Sequence, residues 1–202
     1  MGRAMEHNDL QILRDHILSP TTRWHIGPVA ATPNVFSDGG SSLPRTPQWT
    51  LGSFGVWWPS RQRAPTSYEH QFTNYAPIFD NHQPALEIWG PLLGQNPSST
   101  RAELAAAIFA TSTPHITHVA SDSLAVVKHA RWIIAEVIAD RHPHHALTND
   151  GDLWQLMHDL IRMRGPHTIH FTWVKGHATD SDIQAGKSTC LLYTSDAADD
   201  SL

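Results

Sequence analysis

The order of strand-like and helix-like segments between residues 34 and 174 is the feature that most limits how this chain can fold. Short β-prone runs predict strands, and longer runs with apolar residues three and four apart predict helices. The predicted elements are strands at 35–38, 54–58 and 86–93, a helix at 101–111, a strand at 116–120, a helix that opens at 121–123 and runs to about 139, a helix at 152–164 and a strand at 168–174. This order predicts a mixed α/β sheet, antiparallel at its start and parallel where helices cross over.

Two local signals complicate the start of the sheet. The glycine pair at 39–40 would end the first strand, and the Gly-Pro pair at 90–91 would interrupt the third, which we expect at an edge. The polar stretch at 59–84 predicts a long loop that could enclose a further strand near 71–75.

Length and composition suit one domain with appendages, since the chain has 202 residues, 40% of them hydrophobic and 16% charged. The polar N-terminal segment and the lack of a long apolar run predict an intracellular protein with no membrane association. The single cysteine, Cys190, excludes an internal disulfide and a cysteine-based zinc site. We divide the chain into an N-terminal connector at 1–33, a folded domain at 34–189 and a non-native tail at 190–202.

The tail, CLLYTSDAADDSL, resembles an in-frame translation of a sequencing-library adapter joined to a truncated gene. Leaving out its three aspartates changes the formal charge of the chain from −5 to −2. Either value argues against a protein that holds nucleic acid by bulk electrostatics. The candidate cations are scattered rather than arranged in a stripe: Arg61, Arg63, Lys128, Arg131 and Lys175.

Three acids lie where predicted strands and helices begin or end, and each has an ordinary structural explanation. Asp38 before two glycines is typical of a turn, and Asp122 between two serines is typical of a helix N-cap. Glu103 fits a capping box that begins at Thr100.

Together, however, the three acids predict a metal site. If the first and fourth predicted strands are neighbours, Asp38 and Asp122 lie side by side at one sheet edge, and Glu103 can face the same place. Clustered carboxylates repel one another unless a cation joins them, and oxygen-only ligands favour Mg²⁺ or Mn²⁺ over zinc.

Four segments in order resemble the type 1 ribonuclease H domains of retroelements: VFSDGG at 35–40, STRAELAAAI at 99–108, HVASDSLAVV at 118–127 and FTWVKGHATD at 171–180. The resemblance covers about residues 34–189. It implies a ribonuclease H-like mixed sheet with strand order 3-2-1-4-5, flanked by helices. It also implies hydrolysis of the RNA strand of RNA–DNA hybrids and an upstream reverse transcriptase domain in a parent polyprotein.

The resemblance assigns roles to four residues. Asp38, Glu103 and Asp122 resemble the family's metal-binding, catalytic acids, which hold two Mg²⁺ or Mn²⁺ ions. His177, in the Lys-Gly-His turn, resembles a mobile histidine that assists proton transfer or product release. Trp173, in the same segment, is expected to be a packed strand residue rather than a platform for base stacking.

The sequence departs from the family pattern in two places. The fourth metal-binding aspartate belongs to a final helix that we expect to be missing, and Asp196, 19 residues after His177, resembles it only by coincidence. Where some members insert a basic helix, residues 140–149 form a histidine-rich loop, so we expect weak hybrid binding. The histidines at 142, 144 and 145 could bind a transition metal, but a solvated loop is the preferred interpretation.

Two other functions use the same architecture. One is a catalytically inactive ribonuclease H-like module that binds nucleic acid or connects domains, although such modules usually lose one or more of the acids that remain here. The other is a transposase or integrase core, against which the Lys-Gly-His turn and the Arg-Ala-Glu helix start argue.

Overall fold

The computed structural model of the chain describes residues 15, 27–42, 51–61, 74–80, 83–92, 98–113, 115–145, 147–176 and 181. The strands in this part of the chain are β1 (Val35–Ser42), β2 (Leu51–Trp58), β3 (Asn74–Asp80), β4 (Gln83–Leu92), β5 (Thr117–Ser121) and β6 (Ile169–Trp173). The helices are α1 (Ser99–Thr111), α2 (Leu124–Ile138) and α3 (Gly151–Arg164). The tail at 190–202 and most of the connector at 1–33 lie outside the described residues.

The six described strands form one mixed sheet in the order β3-β4-β2-β1-β5-β6. The β1–β2, β2–β4 and β3–β4 pairs are antiparallel, whereas β1–β5 and β5–β6 are parallel. Parallel neighbours need a crossover, and the intervening helices supply it. Without the extra edge strand β3, the other five follow the predicted order 3-2-1-4-5, so the predicted fold class is confirmed.

The start of the sheet is more regular than the local sequence signals indicate. β1 runs through the glycine pair at 39–40 to Ser42, and β4 runs through Pro91 without a break. β3 pairs with β4 only as far as Trp89, so Pro91 has a strand neighbour on one side only, where a missing N–H donor is tolerated. The predicted extra strand exists, but the described strand runs over Asn74–Asp80, and it makes β3 rather than β4 the sheet edge.

The main core lies between the sheet and the three helices. The alanine-rich α1 is buried on nearly all sides, and its small side chains let it approach the central strands closely. Phe109 of α1 stacks on Phe54 of β2, with ring centroids 4.4 Å apart. Arg164, 4% exposed at the end of α3, donates hydrogen bonds to the backbone carbonyls of Thr111 and His115. None of the described helices is long and apolar enough to span a bilayer.

Histidines from α2, α3 and the loop between them converge on two tryptophans. The ring centroid of His145 lies 5.5 Å from that of His158 and 5.8 Å from that of His129, and His129 stacks on Trp154 at 4.0 Å. His145 and His158 are only 1% and 2% exposed. The expectation of a solvated loop is therefore wrong for His145, because the rings of α2 and α3 cover it.

Burial lowers the pKa of all three histidines of this cluster, since the interior disfavours the charged imidazolium. Their mutual charges, together with His142, His144 and Arg162, act in the same direction, while Asp159 opposes it. As the pH falls through the unfolded value of 6.5, the unfolded chain takes up these protons first. The stability that the neutral cluster contributes is therefore complete above that value and is lost below it.

We predict that the free energy of unfolding falls as the pH is lowered from about 7.5 to about 5.5 and that His158→Gln makes this dependence shallower. Each proton bound by the unfolded chain alone contributes a slope of up to about 1.4 kcal/mol per pH unit. Urea titrations at several pH values measure the slope. The matched control is His167→Gln, because His167 is exposed and outside the cluster; an equal change in both variants would contradict the prediction.

Candidate metal centre

Asp38 lies within a central strand and not in a turn. β1 continues beyond it to Ser42, so the turn interpretation of the sequence is wrong. One carboxylate oxygen accepts a hydrogen bond from the backbone N–H of Gly39, with nitrogen and Oδ1 2.9 Å apart. The side chain is partly exposed.

Glu103 does not cap its helix. The N-cap of α1 is Ser98, whose hydroxyl accepts a hydrogen bond of 3.0 Å from the backbone N–H of Arg101. Glu103 therefore follows the first turn and lies too far along the helix for a capping box that starts at Thr100. Its side chain is only 9% exposed, although an isolated carboxylate is costly to bury.

Asp122 does not cap its helix either. The N-cap of α2 is Ser123, and Asp122 is the residue between this cap and the end of β5. In the parallel β1–β5 pair, Ser37 lies opposite Ser121. Asp38 and Asp122 each follow one of these paired residues, so the neighbouring positions that the sequence predicts for them are found in the structure.

The structure brings the three acids together. One carboxylate oxygen each from Asp38, Glu103 and Asp122 can be chosen so that all lie within 4.8 Å of one another. Among the residues that the structure describes, this is the one group of three or more acid, histidine or cysteine side chains with such a spacing. The ordinary explanations of all three acids are wrong, so their convergence needs another explanation.

Electrostatics at the cluster favour a bound cation. Burial, followed by the negative charges of Asp38 and Asp122, raises the pKa of Glu103 to about 9, against a weaker opposite effect of the Gly39 N–H. The Oε2 atom of Glu103 is buried and has no hydrogen-bond partner. Three hard oxygen donors with an unsatisfied buried oxygen fit Mg²⁺ or Mn²⁺, which would neutralise the charge and fill the open acceptor.

Arg101, the cationic residue nearest in sequence to Glu103, forms ion pairs with other acids. The guanidinium of Arg101 bonds to Asp150 at 3.2 Å and to Asp152 at 2.7 Å, which joins the starts of α1 and α3. Arg101 therefore fixes the position of the helix that carries Glu103, and it is not among the charges that shift the pKa of Glu103.

His177, which is predicted to be at the site, lies outside the described part of the chain, directly after the last described residue of its segment. Its placement relative to the acids therefore stays a prediction. Asp196, which resembles the fourth metal-binding aspartate only by coincidence, also lies outside the described residues.

Sequence reasoning missed two residues beside Asp122. The indole N–H of Trp173 donates a hydrogen bond of 2.9 Å to the backbone carbonyl of Asp122, and a Cβ at Gly176 would overlap the Asp122 carboxylate. Trp173 is on a strand as expected, but it is 45% exposed and so only half packed. The one available signal was that both residues share the motif segment at 171–180.

Comparison with known proteins identifies the family. The sequence profile of the RNase H family matches residues 32–190, which is well over half of the chain. This chain therefore belongs to the RNase H family, whose members are ribonuclease H-type hydrolases. No curated protein matches the chain.

Solved structures resemble this chain at low sequence identity. The prototype foamy virus protease-reverse transcriptase has a TM-score of 0.50 and 15% identity, over 89% of this chain and 22% of the viral one. The type 1 RNase H named LC9-RNase H1 has a TM-score of 0.45 and 17% identity, over 84% of this chain and 74% of that one. The foamy viral enzyme in complex with an RNA/DNA hybrid has a TM-score of 0.45 and 11% identity, over 85% of this chain and 21% of that one. This chain thus spans about a fifth of the length of the foamy virus proteins.

We predict that Gly39→Ala destabilises the protein, because a Cβ at this position would overlap the backbone of Ala102 and Glu103. Moving α1 away from β1 should cost about 1–3 kcal/mol of unfolding free energy, as other overpacked sites do. Chemical denaturation measures the loss. The matched control is Gly55→Ala on the neighbouring strand, where a Cβ would meet no atom within 4 Å; equal losses in both variants would refute the close approach.

We also predict that Glu103→Gln stabilises the metal-free protein at pH 7 while weakening its binding of Mn²⁺. The raised pKa means that folding must add a proton to Glu103 between pH 4.5 and about 9, which opposes folding, and the neutral amide removes this effect, on the order of 1–3 kcal/mol. Thermal unfolding in a chelator and calorimetric titration with Mn²⁺ measure the two effects. A variant that is less stable than the parent chain and binds Mn²⁺ equally well would contradict both parts.

Proposed function

We propose that this chain is an endonuclease that hydrolyses the RNA strand of RNA–DNA hybrids by two-metal-ion catalysis. The observation that carries the proposal is the convergence of Asp38, Glu103 and Asp122 beside the paired strands β1 and β5 of an RNase H-family fold. Each acid is free of the capping or turn role that would otherwise account for it.

Asp38, Glu103 and Asp122 would hold the cations. Bound Mg²⁺ or Mn²⁺ would lower the pKa of an attacking water and stabilise the leaving oxygen. The family resemblance implies products with a 5′-phosphate and a 3′-hydroxyl. Glu103, buried and proton-holding without a cation, would give up its proton on binding. His177 is proposed to assist proton transfer or product release.

Recognition of RNA requires contact with 2′-hydroxyl groups. The strand segment from Gly39 to Ser41 is partly exposed directly beside Asp38, and it offers backbone groups and a small hydroxyl. These groups are suited to sense a 2′-hydroxyl next to the scissile phosphate.

We further propose that the chain is part of a retroelement polyprotein with a reverse transcriptase upstream. The support is the likeness of its fold to one portion of the foamy virus protease-reverse transcriptase. The formal charge of −5 agrees with this arrangement, since we expect weak hybrid binding by this chain and a neighbouring domain would supply the electrostatic attraction to the hybrid.

The test is incubation of the purified chain with an end-labelled RNA–DNA hybrid and Mn²⁺ or Mg²⁺. We expect cleavage of the RNA strand alone and a loss of at least about a hundredfold in rate for Asp38→Asn, as for removal of one group that stabilises the transition state. The matched control is Asp140→Asn: Asp140 is exposed, lies in a loop at φ 53°, which asparagine tolerates, and should be replaceable without loss.

Other outcomes point to other functions. Cleavage of a DNA-only duplex would favour a transposase or integrase core. Hybrid binding without cleavage would favour the inactive module if a form with a complete family-like final helix were also inactive. If that form cuts the hybrid, the defect belongs to the tail and the assignment stands.

A further inference from the structure

The backbone around Asp122 is held on both sides by the strand next to it. The backbone N–H of Val174 donates to the carbonyl of Ser121 at 3.0 Å, which fixes the peptide plane before Asp122. The indole N–H of Trp173 donates to the carbonyl of Asp122 at 2.9 Å, which fixes the plane after it. The second plane is held again by the N–H of Ser123, which donates to the Ser121 hydroxyl at 3.1 Å.

Two fixed peptide planes determine the direction of the bond from Cα to Cβ between them. The backbone therefore fixes the direction in which the Asp122 side chain leaves the chain, and Gly176 leaves the space that its carboxylate occupies. The indole of Trp173 contributes the one side-chain hydrogen bond from β6 in this arrangement, and it does so from a half-exposed position where burial of the ring is not the reason for its placement.

We propose that Trp173 is a positioning residue for the metal-binding carboxylate of Asp122 and acts through its indole N–H. The inference rests on the proposed function, since it assumes that Asp122 binds a cation. Trp173 itself touches neither the carboxylate nor the metal in this scheme. It restricts the peptide that follows Asp122, and groups that orient metal ligands in this way affect metal affinity by about 10–100-fold.

The test compares Mn²⁺ binding by the full chain and by Trp173→Phe, using electron paramagnetic resonance of free Mn²⁺ and calorimetric titration. Phenylalanine keeps an aromatic ring on the strand and removes the N–H donor. We expect an affinity about tenfold lower, at the weak end of the range for such orienting groups. The melting temperature should change no more than in the matched control Trp132→Phe, a tryptophan of similar exposure, 43%, that lies on α2 beside His129 and not beside the acids.

Each result decides between clear alternatives. Weaker Mn²⁺ binding by Trp173→Phe, with control-like stability and unchanged binding by Trp132→Phe, supports the inference. Unchanged binding by Trp173→Phe overturns it and leaves the proposed function intact, as does a loss of binding explained by a lower melting temperature or shared by the control. A parent chain that fails to bind Mn²⁺ overturns this inference, and it overturns the proposed function too if a form with a complete family-like final helix also fails to bind Mn²⁺.

Discussion

The parallel pairing of β1 with β5 is the contact on which the candidate site depends. It sets Ser37 against Ser121, and the next residue on each strand is an aspartate. A shift of one residue in this register would turn every side chain of the shifted strand to the other face of the sheet and separate the two carboxylates. The covered central position of both strands, between β2 and β6, specifies this register strongly.

The charged groups of the acid cluster differ from Arg164 and Arg101 in the groups that surround them. The buried guanidinium of Arg164 donates to two backbone carbonyls, and the guanidinium of Arg101 pairs with two aspartates, so both cations lie beside acceptor oxygens. Glu103, in contrast, is surrounded by two more acids and keeps one buried oxygen without a partner. A protein gains no stability from such an arrangement, which is the expected pattern where an ion completes the structure.

The family resemblance implies the strand order, whereas the positions of the acids at the ends of predicted elements predict their proximity. Local rules fail where several residues compete for one role: Ser98 rather than Thr100 caps α1, and Ser123 rather than Asp122 caps α2. These choices depend on where the helix packs, which propensity does not determine. The hydrogen bond from Trp173 to Asp122 is likewise invisible in the sequence, because it exists only once β6 has paired with β5.

A rise in pH favours both clusters of titratable groups: it keeps the histidines neutral, and it removes the proton that opposes cation binding by the acids. The histidine cluster is stable when its rings are neutral, above the ordinary histidine pKa of 6.5. A cation would bind to the acid cluster more readily as the pH rises, because the proton held by Glu103 must leave first. The histidines lie between α2 and α3, while the acids lie where α1 and α2 begin, so α2 takes part in both. Acidification is therefore expected to destabilise the packing between α2 and α3 and to oppose cation binding by the acids.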